Sequence, residues 1–258
     1  MKRAIAAGGG FLVANLLSDP ITRASAVAFP QAAEQPDVET QTVEYPTDNG
    51  NISAALVKPK GAAGKLPGLL VVHTDRGLND RFLVYVRRLA AGGFATLAPD
   101  LLSRAGGTAK FSLAQAGQET ARLGPEATVS DVKAGYEFLA KKPDVDAQKI
   151  SAVGFGWGAW RVFRLAEEVP ELHRAVVFFG VTPTEGLEKI RTPFLSHYAQ
   201  LDFRVTGNAL WTEKMLGKNF TYYVYPKMEQ QFIFDGTPAY NAEAAELAWK
   251  RTFEFLHS

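Results

Sequence analysis

The stretch AVGFGWGAW, residues 152–160, decides how the rest of the chain reads. It closes an apolar run and opens a segment with helical periodicity, and its glycines imply a sharp turn where a strand hands over to a helix. Turns of this kind commonly present a catalytic nucleophile or cradle a phosphate. Here the positions around the turn hold Phe155, Gly156 and Trp157, so no side chain of the turn can attack a carbonyl.

Downstream and upstream of the turn, short apolar runs at 69–73, 94–98, 150–153, 175–179, 194–197 and 222–225 alternate with helical patterns near 80–91, 125–141, 157–168, 205–216 and 241–256. Runs that are apolar on both faces fit a parallel sheet covered by helices. Two earlier runs, 40–45 and 52–57, flank the turn formers Thr47-Asp48-Asn49-Gly50 and read as a hairpin. The expected fold class is therefore α/β, a mostly parallel central sheet flanked by helices with an N-terminal antiparallel hairpin. Residues 39–258 form one domain in this reading, without repeats or internal linkers.

Composition narrows the function classes. A hydrophobic fraction of 47% and a net charge of +1 argue against disorder and against nucleic acid as a partner. The absence of cysteine excludes disulfides, thiolate metal sites and a cysteine nucleophile. The basic pair Lys2-Arg3, an apolar run over 4–17 and the small-residue sites Ala24-Ser25-Ala26 and Ala26-Val27-Ala28 read as an export signal over 1–28, followed by a linker over 29–38. An uncleaved anchor is the alternative, although the run is shorter than the roughly 20 residues of a spanning helix. The expected location is the periplasm or the membrane surface, and the expected partner another envelope or membrane protein subunit.

In sheets of this type ligands bind beyond the carboxyl ends of the strands. Those ends carry His73-Thr74-Asp75-Arg76, the segment from Asp100 to Arg104, the glycine turn, the segment from His197 to Arg204, and residues 229–235. The phrases VVHTDRGLND (71–80), LAAGGFATLAPDLLSRAGG (89–107), VGFGWGAW (153–160), LDFRV (201–205) and AYNAEAAELAWKRTFEFL (239–256), in this order, make residues 39–256 resemble the dienelactone hydrolase family of α/β-hydrolases. The resemblance implies a cysteine or serine nucleophile in the middle of a Gly-Phe-X-Trp-Gly elbow, an aspartate in a later D-x-R-V loop, and a histidine shortly before the last helix. It also implies a glutamate after the first-loop histidine that controls the nucleophile.

Carried over position by position, the nucleophile falls on Gly156, the aspartate on Asp202, the histidine on Gln230 and the glutamate on Thr74. Only Asp202 keeps its chemistry. Loss of a nucleophile or its base in a serine protease triad lowers turnover by around six orders of magnitude. The expectation is a catalytically degenerate relative that serves as a binding or accessory subunit. The alternative is a weak ester or lactone hydrolase with relocated residues, in which His197 and Asp202 activate water. Backbone amides at the turn need no particular side chain and could hold a small carboxylate or carbonyl ligand.

Other residues have two readings each. Arg76 and Arg104 either clamp an anion or pair with Asp75 and Asp100. His73 braces the first loop or faces a ligand, and His197 is pocket-facing or packed. Asp202 and Arg204 fix their loop if they no longer serve chemistry. Trp157, Trp160 and Phe163, at helical spacing, read as core, while Phe155 and Trp157, flanking Gly156 in the turn, also stand as candidate binding residues. Gly154-x-Gly156-x-x-Ala159 matches a dinucleotide fingerprint, yet the next strand ends at Phe178-Phe179-Gly180-Val181-Thr182-Pro183 and no acid stands after it until Glu185, so no cofactor is expected. A metal held by His73, His197, Asp75 and Asp202 is not expected either, because the strand order that the resemblance implies sets their strands about three positions, or about 14 Å, apart.

Overall fold

The computed structural model describes residues 37–258 apart from position 204. The expected export signal, residues 29–36 of the linker and Arg204 lie outside the described residues. The elements run β1 (Val38–Thr47), β2 (Gly50–Pro59), β3 (Leu66–Val72), α1 (Asp80–Ala91), β4 (Ala95–Pro99), α2 (Leu113–Arg122), α3 (Pro125–Ala140), β5 (Val145–Phe155), α4 (Trp157–Glu168), β6 (Ala175–Phe178), β7 (Phe194–Ala199), α5 (Val205–Leu216), β8 (Phe220–Tyr225) and α6 (Ala242–His257). The strands form one sheet in the order β1-β2-β4-β3-β5-β6-β7-β8. β1 and β2 pair antiparallel, as do β2 and β4, and the rest of the sheet is parallel.

The hairpin closes at Thr47, whose hydroxyl donates to the Gly50 carbonyl at 2.7 Å, while Gly50 turns the chain at φ +110°. Along the parallel strands alternate residues enter opposite cores. Leu70, Val72 and Ala152 pack with Val132, Val162 and Phe163 of α3 and α4. Leu69, Val71 and Val153 pack with Phe82, Leu89, Trp249 and Phe253 of α1 and α6. A strand buried on both faces must be apolar at successive positions, which is why these runs lack the polar alternation of a half-exposed sheet. On the second face Arg88 grips both carboxylate oxygens of Glu246 at 3.0 and 2.7 Å and ties α1 to α6.

Helix α2 was not anticipated by the apolar pattern. Its buried residues are only Ala116 and Thr120, so it carries almost no hydrophobic stripe. Its start is nonetheless written in the sequence, because Ser112 and Gln115 form a reciprocal capping box.

The junction of β5 and α4 sets the site. Gly156 adopts φ +52°, ψ −108°, and its N–H donates to the Phe178 carbonyl at 2.8 Å. A β-carbon at Gly158 would stand 2.4 Å from the Val72 oxygen and 2.5 Å from the His73 oxygen, so only hydrogen fits between α4 and the end of β3. A β-carbon at Gly156 would meet nothing within 4 Å. Gly158→Ala should therefore lower stability by about 3 kcal/mol or more through overpacking, whereas Gly156→Ala should cost only the strain of its positive φ, roughly 1 to 2 kcal/mol. Urea unfolding midpoints of the two variants check this, and equal losses would contradict the packing described.

Candidate functional site

Beyond the carboxyl ends of β3, β5 and β6 lies a crevice of about 450 Å³ whose floor is Gly156. Trp157, Trp160 and Arg161 of α4 line it, with Phe179 and Val181 after β6, Gln230, Gln231 and Phe234 before α6, and Thr74 and Asp75 after β3. Helix α4 begins without a side-chain cap, and the Trp157 N–H has no acceptor among the described residues. The first amides of a helix have no intrahelical partner, so this one is available to a ligand above Gly156.

Two wall residues hold backbone conformations that L-residues rarely adopt, Phe179 at φ +57° and Gln231 at φ +74°. Phe179 stays there because its N–H donates to the His197 carbonyl at 3.0 Å and its ring packs edge-on against Phe232. Gln230, the residue in the expected histidine position, shares the crevice with Gly156 and donates from Nε2 to the Phe179 carbonyl at 3.4 Å. Asp202 does not line the crevice; it sits in the loop after β7 with its N–H on the Ala199 carbonyl.

Several expected site residues lie elsewhere. His197 is fully buried under α6 and is not a binding residue. Thr252 gives its hydroxyl proton to the Ala248 carbonyl, so its oxygen accepts from His197 Nε2 at 3.0 Å, and the Tyr225 hydroxyl then donates to Nδ1 at 2.9 Å. Burial, with the nearby Arg251 charge, pushes its pKa down to about 3. A ring held neutral with both nitrogens occupied cannot activate water with Asp202, which removes that form of the relocated hydrolase. His73 is also fully buried and is absent from the crevice lining. Its Nε2 accepts from Leu101 N–H at 3.2 Å, its Nδ1 donates to the Thr74 carbonyl at 2.6 Å, and its ring stacks on Trp157. It braces the loops after β3 and β4, and burial lowers its pKa too.

Phe155 is core, stacked on Phe178 at 4.9 Å. Arg104 is neither a ligand clamp nor a partner of Asp100: it makes two hydrogen bonds, 2.9 and 2.6 Å, to the buried Asp131 of α3. Asp100 instead accepts from the Thr108 backbone and hydroxyl. Arg76 faces a neighbouring recess of about 80 Å³ that shares Thr74, Gln231 and Phe234 with the crevice. Of the aromatic series on α4, only Phe163 is core, stacked on Phe194, while Trp157 and Trp160 belong to the crevice wall.

Arg161, Phe179 and Val181 were not expected at the site, and Gln231 and Phe234 were expected there only as part of the strand-end segment 229–235. Arg161 had a usable signal, since it stands four residues after Trp157 and so shares its helix face. The left-handed conformations that aim Phe179 and Gln231 have no sequence signature.

A doubly covered, mostly parallel sheet with a glycine-flanked strand–turn–helix at its centre defines an α/β-hydrolase fold. The profile of the dienelactone hydrolase family matches residues 52–258, and the chain belongs to that family. It is 29% identical to a protein of Saccharolobus solfataricus named "Putative carboxymethylenebutenolidase", covering 82% of this chain and 96% of that one. A protein of the same name from Methylorubrum extorquens is 27% identical, covering 81% and 77%. The crystal structure of a "Putative Dienelactone Hydrolase" from Klebsiella pneumoniae superposes with a TM-score of 0.77 at 22% identity, over 86% of this chain and 99% of that one, and so speaks for the fold alone.

The histidines predict an acid-sensitive fold. Their folded pKa values lie below the ordinary 6.5, so the unfolded chain binds protons first as pH falls. Their contribution is complete above pH 6.5 and is lost downward, for His197 at about 1.4 kcal/mol per pH unit until its folded pKa is reached. Denaturant unfolding between pH 7.5 and 4.5 should show this slope, and His197→Gln should flatten it by about one proton; an unchanged slope would mean that the ring titrates in the native state.

Proposed function

We propose that this protein is a catalytically silent member of its family, which binds a small carboxylate or carbonyl ligand over Gly156 and acts as a non-catalytic binding or accessory subunit. One observation carries the proposal: the floor of the crevice is a bare glycine, and none of the four histidines lines the space above it. Covalent hydrolysis needs a nucleophile beside a proton acceptor. The hydroxyl on the wall is that of Thr74, whose oxygen accepts the Arg76 N–H at 3.2 Å, and no histidine lines the wall with it.

The names of the relatives favour a second reading, a weak lactone or ester hydrolase. In this crevice that chemistry falls to Asp75, the one carboxylate on the wall among the described residues, acting on a water molecule. Purified protein incubated with aryl esters and a dienelactone separates the two. No turnover above buffer is expected. Turnover that disappears in Asp75→Asn would establish the second reading and refute the first.

Reinstating the chemistry is the complementary test. Gly156→Cys combined with Gln230→His should yield measurable ester hydrolysis, because a β-carbon at Gly156 projects into free space and residue 230 faces the same crevice. A folded but inert double variant would show that the wall no longer supports the family reaction.

The envelope setting belongs to the same proposal and rests on residues 1–28. Among the described residues no helix is long and apolar enough to cross a membrane. N-terminal sequencing of protein from the producing cells should find a mature chain beginning after Ala26 or Ala28; an intact Met1 in the soluble cytosolic fraction would reject export.

A further inference from the structure

Two arginines are buried among the described residues, Arg88 at 2% exposure and Arg161 at 6%. Arg88 is balanced by both oxygens of Glu246. Arg161 has no carboxylate partner. Its Nε donates to the Thr128 hydroxyl at 3.2 Å and one terminal nitrogen to the Trp157 carbonyl at 3.0 Å. A guanidinium carries five N–H donors, so three meet no protein acceptor among the described residues. Burial alone pulls its pKa down to about 9, with no nearby acid opposing the shift, and it remains a cation at neutral pH. A cation at such depth without a counter-anion is unfavourable, and this one lines the crevice above Gly156.

A second feature converges on the same space. The guanidinium carbon lies 3.3 Å from the centre of the Trp157 ring, so Arg161 is fixed to the residue whose backbone N–H opens α4 without an acceptor. A structural role, joining α4 to α3 through Thr128 and closing on the Trp157 carbonyl and ring, accounts for two donors and one face of the guanidinium but supplies no anion. Trp160, Phe179 and Phe234 surround the space with flat apolar surface. Asp75 at the mouth disfavours a second negative charge on whatever enters.

We propose that Arg161 makes the crevice a receptor for free carboxylic acids with a flat apolar body, their carboxylate meeting the guanidinium and the Trp157 amide over Gly156. The ligand's charge thus takes the place where a scissile carbonyl lies in an active elbow, so the acid is selected over its own ester. This rests on the catalytically silent reading and adds the ligand class to it.

Titration calorimetry on the full chain at pH 7.5, with 1-naphthoate, methyl 1-naphthoate and inorganic phosphate as probes, tests the proposal. The acid should bind at least tenfold more tightly than the ester, and phosphate more weakly than the acid. Arg161→Met should lose at least tenfold in acid affinity while the ester is unaffected, and Arg161→Lys should retain part of the preference. Should Arg161→Met not fold, Gly156→Asp serves instead: its own carboxylate occupies the space and should abolish naphthoate binding. Equal affinity for acid and ester, no binding of the acid up to its solubility limit, or unchanged acid binding in folded Arg161→Met or Gly156→Asp would each overturn the proposal. Hydrolysis of the methyl ester during the titration, followed by chromatography, would sink the silent reading instead, and the acid preference would stand or fall separately.

Discussion

The contact on which the site depends is the approach of α4 to the end of β3. At Gly158 the helix backbone lies against the Val72 and His73 carbonyls with room for a hydrogen atom only, and at Gly154 a β-carbon would stand 2.7 Å from the Ala159 Cα. Two glycines thus draw the helix start down onto the strand ends. The glycine between them is under a different constraint. Gly156 needs its positive φ to reverse the chain, yet its missing side chain points into open space. The packing fixes 154 and 158 for the sake of the fold, and leaves 156 to be decided by chemistry.

Charge is distributed around this junction with a consistent logic. The two histidines nearest the strand ends are neutral, each with one ring nitrogen donating and the other accepting, and each is held that way by burial. Arg104 is neutralised by Asp131, which the same pairing allows to be completely buried in α3. Breaking such a pair strands a buried charge, which is why it is structural and unavailable to a ligand. Once these groups are accounted for, Arg161 is the buried charge among the described residues that the protein itself leaves unbalanced.

The layered sheet and its hairpin were legible in the sequence because doubly buried strands and amphipathic helices impose different apolar periods. Gly156, Gln230, Thr74, Asp75 and Trp157 could be placed at the crevice from the resemblance and the strand-end rule. The failures have a common physical origin. Whether a strand-end side chain such as His197 turns toward the ligand or toward the helix layer depends on alternation: it shares the α6 side with Leu195 and Ala199 and is captured by Thr252. Arg104 and Asp131 meet across 27 residues of sequence, a pairing that no local pattern announces. Arg161 was hidden for the opposite reason, since an arginine on an exposed-looking helix ordinarily signals solvent.

Strain supplies the last step. A non-glycine residue with positive φ costs on the order of 1 to 3 kcal/mol, and the crevice wall contains two, Phe179 and Gln231, while its floor has shed that cost by placing glycine at 156. The strain that remains lies in two residues whose side chains, a phenyl ring and a carboxamide, are not nucleophiles. It orients the wall: Phe179 is held by the His197 carbonyl behind it and packs on Phe232 and Phe234, and its own carbonyl receives Gln230. Neighbouring hydrogen bonds and rings over-determine these conformations, so the walls are fixed before any ligand arrives. A preformed wall lowers the ordering cost of binding, and it does so whether or not a bond is broken afterwards.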